Sequence, residues 1–196
     1  MKTTIFSFYS NKKNLTLNKV KFTEPTQDYN RPRTGLWLAK NKLWYNLVKN
    51  HFVENAFYKE QLKHLYKVKV DMTDIFLLTK KNYQDFFNLY KKKTNSNRIN
   101  WKKFIKENPT CKGIYLTFDP DIYRYLNSAL KNGIKIKALS EEDKNLSDKQ
   151  FMRKYNMTSL PFSEFPEHDR YIIPWFISSI CVWNKSAIVD FKLIDT

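Results

Sequence analysis

Between Tyr171 and Asn184 the chain runs through Ile172-Ile173-Pro174-Trp175-Phe176-Ile177-Ser178-Ser179-Ile180-Cys181-Val182-Trp183 without one charged side chain, although the protein as a whole is strongly basic. A stretch this apolar belongs in an interior, and the hydroxyls and amide set among its large side chains need partners there. Such a run usually lines something. Its counterpart near the start is Arg31-Pro32-Arg33-Thr34-Gly35-Leu36-Trp37, where one of only three glycines stands two residues before a tryptophan. The two segments point to the walls of one cleft.

A chain of 196 residues is long enough to close one hydrophobic core and is read as a single domain, 1–196. No stretch reaches the roughly 18 consecutive apolar residues of a membrane span, and the first residues lack the apolar core of a signal peptide. The expectation is an intracellular protein with no membrane partner, in the host cytoplasm if the chain is viral. Cys111 and Cys181 cannot build a disulfide framework. With His51, His64 and His168 scattered, their spacing also argues against a metal site.

The net charge of +16 directs attention to nucleic acid or another polyanion. Only six of the 35 basic residues are arginine, and the lysine comes with abundant Asn, Ile, Tyr and Phe, the pattern of an AT-rich coding sequence. The excess is concentrated: residues 1–70 carry 14 basic against 4 acidic groups, 71–134 carry 12 against 6, and 135–196 carry 9 of each. Lys80-Lys81, Lys91-Lys92-Lys93 and Lys102-Lys103 would supply salt-dependent attraction rather than base reading. The tyrosines Tyr45, Tyr58, Tyr66, Tyr83 and Tyr90 interleave with this charge and could stack on bases, although Tyr83 and Tyr90 also fit an apolar helical stripe.

The local patterns predict strands over 3–9, 62–70, Asp74–Leu78, Gly113–Phe118, Ile134–Leu139 and Ala187–Ile194, a strand or strand-turn pair through Ile172–Trp183, and a second extended stretch through Leu15, Leu17, Val20 and Phe22. Thr34–Ala39 reads as another strand. Asn41 is placed as the cap of a helix carrying Leu43, Trp44, Leu47, Val48 and His51 on one face. Thr79 is placed as the cap of a helix whose Tyr83, Phe86, Phe87 and Tyr90 recur at helical spacing. Asn100 would cap a third helix with Trp101, Phe104 and Ile105, and Asp119–Leu130 a fourth. The acidic, aperiodic residues 140–169 read as a mobile flap. Many strands and a few short helices without regular alternation give an α+β domain on mainly antiparallel sheet.

Three isolated glycines exclude Walker and dinucleotide-fingerprint loops, and no nucleophile elbow or paired-histidine helix is present. At Thr34-Gly35-Leu36-Trp37, glycine could admit a ligand to the backbone while Trp37 offers a stacking face; the plainer reading is a core tryptophan beside a bulge. At the C-terminal run, Ser179, Trp183 and Asn184 could touch a ligand, or the serines could simply bond to the backbone of a buried strand.

These two segments carry a resemblance to a family of viral, phage and bacterial proteins with a Pro-x-x-Gly-Leu-Trp start and a Trp-Asp-x-x-Ser-x-x-x-Trp-Asn end. Here they read Pro32-Arg33-Thr34-Gly35-Leu36-Trp37 and Trp175-Phe176-Ile177-Ser178-Ser179-Ile180-Cys181-Val182-Trp183-Asn184, with Trp44, Asn100-Trp101 and Lys112-Gly113-Ile114-Tyr115 falling between them in order. That family is similar to a distant branch of the ADP-ribosyltransferase fold, a split β-sandwich that holds NAD between its sheets. The resemblance implies an NAD-dependent transferase acting on a nucleic acid or a nucleic-acid-associated target, with Arg33, Gly35, Trp37, Ser179 and Asn184 as cofactor-binding residues. It also implies an acidic residue that steadies positive charge developing on the ribose. This sequence has Phe176 where the family has aspartate, and a phenyl ring can do neither proton transfer nor charge stabilisation. The nearest carboxylates, Glu164, Glu167 and Asp169, are therefore the candidate catalytic residues. The alternative is an inactive basic protein that binds nucleic acid or an acidic protein, as a viral accessory factor would.

Overall fold

In the computed structural model, which describes residues 2–27, 31–51, 56–92, 98–118 and 177–194, alternating aromatic and polar residues at the N-terminus form the long strand β1 (Thr3–Ser10). It is followed by β2 (Leu36–Ala39), α1 (Leu43–His51), α2 (Ala56–Gln61), β3 (His64–Asp71), β4 (Ile75–Leu78), α3 (Tyr83–Tyr90), α4 (Trp101–Glu107), β5 (Gly113–Leu116), β6 (Ser179–Val182) and β7 (Ile188–Ile194). The seven strands form one sheet in the order β4-β5-β6-β2-β1-β3-β7. Only β4 and β5 run parallel; every other neighbouring pair is antiparallel. The protein is thus an α+β fold with a mostly antiparallel sheet and short helices, as its patterning predicts.

The sheet is almost divided in two. Strand β1 pairs with β3 along its whole length, from Thr3↔Asp71 to Ser10↔His64, yet it meets β2 at the single position Ser7↔Ala39. One block is therefore β4-β5-β6-β2, the other β1-β3-β7, and the joint between them is one residue pair wide.

Each face of the sheet carries its own core, as strict side-chain alternation requires. On one face Leu78, Ile114, Leu116, Cys181 and Trp183 pack beneath Phe86, Phe87 and Tyr90 of α3 and Trp101 and Phe104 of α4. On the other, Phe6, Leu36, Leu38, Tyr66, Val68, Val70, Ile75, Ile180 and Val182 are buried together, with Leu15, Val20 and Phe22 packed against them. That last segment is a correction. Apolar spacing predicts an extended stretch there, whereas it folds as a 3-10 turn over Leu17–Lys19. Backbone bonds from Lys19 N–H to the Thr16 carbonyl at 2.9 Å and from Val20 N–H to the Leu17 carbonyl at 3.2 Å close the turn, and just upstream the Tyr66 hydroxyl lies 2.7 and 2.6 Å from the carbonyls of Lys12 and Lys13 and accepts from the Leu15 N–H at 3.1 Å.

Polar residues mark the starts of α3 and α4, with one displacement. Asn100 caps α4, its Oδ1 accepting from the Lys103 N–H at 2.9 Å. For α3 the cap position belongs to Asn82 rather than Thr79: Asn82 Oδ1 folds back to accept from the Thr79 N–H at 2.7 Å. Asn41 takes a positive φ of 51° in the turn before α1, a conformation asparagine tolerates better than most residues. Helix α2 is too short and too polar to show apolar periodicity, and the sequence patterns do not predict it. The expected helix 119–130, strand Ile134–Leu139 and flap 140–169 lie outside the described residues. Among the described residues no helix is long and apolar enough to cross a membrane.

Candidate functional site

One cross-strand row connects all seven strands on the face that carries α3 and α4. Read through the register, it runs Leu78, Leu116, Ser179, Ala39, Ser7, Lys67, Lys192. Directly opposed residues in neighbouring strands project on the same side of the sheet. The row therefore changes character in three steps: two leucines under the helices, three small side chains at the centre, and two lysines toward the edge.

The small centre makes a hollow. A cavity of about 610 Å³ opens over Ser179, Ala39 and Ser7, with Trp37, Tyr9, Arg31 and Arg33 among its walls and Trp44, Phe57, Tyr58 and Gln61 arriving from α1 and α2. It lies where the two blocks of the sheet meet. The volume is that of a pocket for a drug-sized or cofactor-sized ligand.

Of the residues expected to bind cofactor, Arg33, Trp37 and Ser179 line this cavity together. The Arg31 guanidinium lies 5.8 Å from the Trp37 ring centre, so cation and indole form one surface. Ser179 is 5% exposed and donates its proton to the Ile177 carbonyl at 3.1 Å, which leaves its lone pairs as acceptors. Gly35 serves a different purpose. Its φ is +105°, and a Cβ there would stand 2.7 Å from the Val182 carbonyl oxygen and 2.9 Å from Cys181 Sγ, so β6 itself lies against this glycine, which is not among the cavity walls. Asn184 is also a correction: it sits beyond the opposite end of β6 from Ser179, with Oδ1 accepting from the Ser186 N–H at 3.0 Å. Trp183 is buried at 2% exposure and donates its indole N–H to the Cys111 carbonyl at 2.8 Å. Ser178, likewise buried, donates to the Leu116 carbonyl at 2.9 Å. Position and hydrogen bonds make both structural. Glu164, Glu167, Asp169, Trp175 and Phe176 lie outside the described residues.

Several walls were not singled out as site residues by sequence reasoning. Ser7 is a hydroxyl on the inward alternation of a strand otherwise filled by Phe6, Phe8 and Tyr9, and Arg31 joins Arg33 to place two of the six arginines in one tripeptide. Those were the available signals. Of the tyrosine series, Tyr66 and Tyr90 are 1% and 6% exposed and belong to the two cores, which leaves those two no part in a stacking surface.

Burial acts on both thiols, completely for Cys181 and in part for Cys111. Burial pushes Cys181 far above the ordinary thiol range, against the opposing pull of Arg31, and raises Cys111 against its hydrogen bond at Gly113. Both shifts favour the neutral thiol in the folded state. That contribution is complete below the unfolded-state thiol pKa, roughly 8.5, and stability should fall as pH rises above it because only the unfolded chain readily loses the protons. At pH 8 an aromatic disulfide reagent should label Cys181 only after denaturation and Cys111 slowly. Rapid labelling of both thiols in the native protein would contradict the burial. Comparison with family models, curated proteins and solved structures finds no match for this chain.

Proposed function

We propose that the protein is an ADP-ribosyltransferase-like protein that takes NAD into this cleft and acts on a nucleic acid or a nucleic-acid-associated target. One observation carries the reading: Arg33, Trp37 and Ser179, remote in sequence, line a single cofactor-sized cavity at the joint of a nearly divided sheet.

The side chains suit the ligand. Two guanidinium groups, Arg31 and Arg33, would hold a pyrophosphate, which they can grip with paired N–H donors. Trp37 and Tyr9 offer flat faces for a nicotinamide or adenine ring. Lone pairs on Ser179 and Ser7 are acceptors for a carboxamide N–H. When bound, NAD supplies an ADP-ribosyl group on a bond activated for loss of nicotinamide; this chain's residues would orient it and exclude water. The stabilising carboxylate would come from Glu164, Glu167 or Asp169.

A second reading is binding without transfer. It is favoured by the described lining, whose charged members are the two arginines, together with Phe176 in the family's aspartate position. Release of free nicotinamide separates the two. Transfer predicts release that one of Glu164→Gln, Glu167→Gln or Asp169→Asn abolishes; binding alone predicts none.

Calorimetric titration with NAD tests the cleft. Trp37→Ala should weaken binding by roughly tenfold or more, as loss of an aromatic face does. Ala39→Leu should abolish it by filling the floor. No heat at millimolar NAD, or unaltered affinity in Ala39→Leu, would remove the cofactor from the proposal.

A further inference from the structure

The lysine end of the central row is electrostatically unfavourable as a piece of sheet. Lys67 and Lys192 are directly opposed across β3 and β7, and like charges in that arrangement repel. Lys67 Nζ also lies 3.4 Å from Ser7 Oγ, so the cationic stretch begins at the floor of the cleft. Lys69, one step along β3 on the same face, adds a third ammonium group. The one carboxylate opposite it is Asp190, which contacts Lys192 Nζ at 3.3 Å; Asp71 at the strand end is engaged with Thr73. Lys192 nevertheless remains 72% exposed in its side chain. Adjacent strands are about 4.8 Å apart, so Ser7, Lys67 and Lys192 mark a track of roughly 10 Å from the cleft to the sheet edge.

An aromatic surface meets this track at the same opening. Phe57, at 67% exposure, is among the most exposed large apolar side chains described, and it lines the cleft. Tyr45, 37% exposed, lies tilted against Tyr9 with ring centres 6.1 Å apart and carries Lys49 Nζ 5.6 Å from its ring centre. Cations that follow a backbone and exposed rings that receive unpaired bases are the two elements by which proteins hold single strands. A duplex hides its base faces in its own stack, and an acidic peptide has no use for the rings.

We infer that the Ser7–Lys67–Lys192 track carries the phosphate backbone of a single-stranded nucleic acid, with a base brought against Phe57 at the mouth of the cleft. This names the target class of the proposed function and rests on reading the cleft as a ligand site.

The test is fluorescence anisotropy with a labelled oligothymidylate of about twelve nucleotides, titrated at several salt concentrations. The full chain should bind it with affinity that falls steeply with salt. The double variant Lys67→Gln/Lys192→Gln should bind about tenfold more weakly at low salt, with the log–log salt slope smaller by about 1 to 1.5, as loss of two single-strand phosphate contacts dictates. Phe57→Ala should weaken binding by about fivefold or more. The lysine variant should melt at the wild-type temperature or slightly above it, since a repulsion has been removed, and Lys192→Gln alone, which leaves the Lys67 contact with Ser7 in place, should titrate NAD as wild type does. Oligonucleotide binding without NAD binding would sustain this inference while removing the cofactor. Absent binding, a salt slope unmoved by the double variant, equal affinity for a duplex, or equal competition by polyglutamate would each overturn it, whatever NAD does.

Discussion

Gly35→Ala is expected to destabilise the protein by about 2 to 5 kcal/mol, read as a lower urea midpoint with the same slope. Two costs combine. An L-residue at positive φ outside its small allowed region loses about 1–2 kcal/mol, and forcing a methyl into packed backbone costs about 1–3 more. Both conditions hold at this position: φ is +105°, and the added Cβ would lie 2.7 Å from Val182 O and 3.2 Å from Val182 C, atoms of a central strand that cannot rotate aside as a side chain could. Gly113 meets β6 from its other neighbour, where a Cβ would stand 2.6 Å from the Cys181 carbonyl oxygen. The two glycines therefore seat β6 between β2 and β5, and Ser179 reaches the cleft floor because of that seating. A loss below about 1 kcal/mol in Gly35→Ala would mean the strand can shift, and the cleft wall with it.

The elements that were legible share a cause: each one declares its buried face by local spacing. Tyr83, Phe86, Phe87 and Tyr90 could only be a helix stripe, and Asn100 before Trp101 is a helix start by its own chemistry. The misreadings have the opposite origin. Leu15, Leu17, Val20 and Phe22 are spaced like an extended stretch, yet the backbone closes a 3-10 turn over Leu17–Lys19, just after a segment tied to the distant Tyr66 hydroxyl. Asn184 and Trp183 look like site residues beside Ser179, but the length of β6 runs between them, and only its Ser179 end reaches the cleft. The central row was invisible in one dimension. Its small members Ser179, Ala39 and Ser7 are ordinary residues in three separate strands, and only the register reveals that they adjoin. A hollow made by the smallness of side chains leaves no motif.

Phe104→Ala should be comparably damaging, by about 3–5 kcal/mol, the usual cost of emptying a fully buried phenyl site. Phe104 is the hub of the aromatic core: its ring centre lies 5.4 Å from Phe76, 5.4 Å from Phe86, 5.2 Å from Tyr90, 5.9 Å from Trp101 and 6.3 Å from Trp183. Most of these contacts are edge-to-face, an arrangement favoured by the ring quadrupoles beyond the area buried. Because Trp183 continues β6 and donates to the Cys111 carbonyl, a cavity at Phe104 also loosens the strand that carries Ser179. The variant should therefore show faster labelling of Cys111 and Cys181 at denaturant concentrations too low to unfold it globally, the signature of local opening. Phe104→Leu, which keeps much of the volume, should cost only about 1 kcal/mol and leave thiol labelling slow. A large loss of stability with unchanged labelling would break the mechanical link between the α4 core and the cleft wall, confining Phe104 to holding α3 and α4 on the sheet.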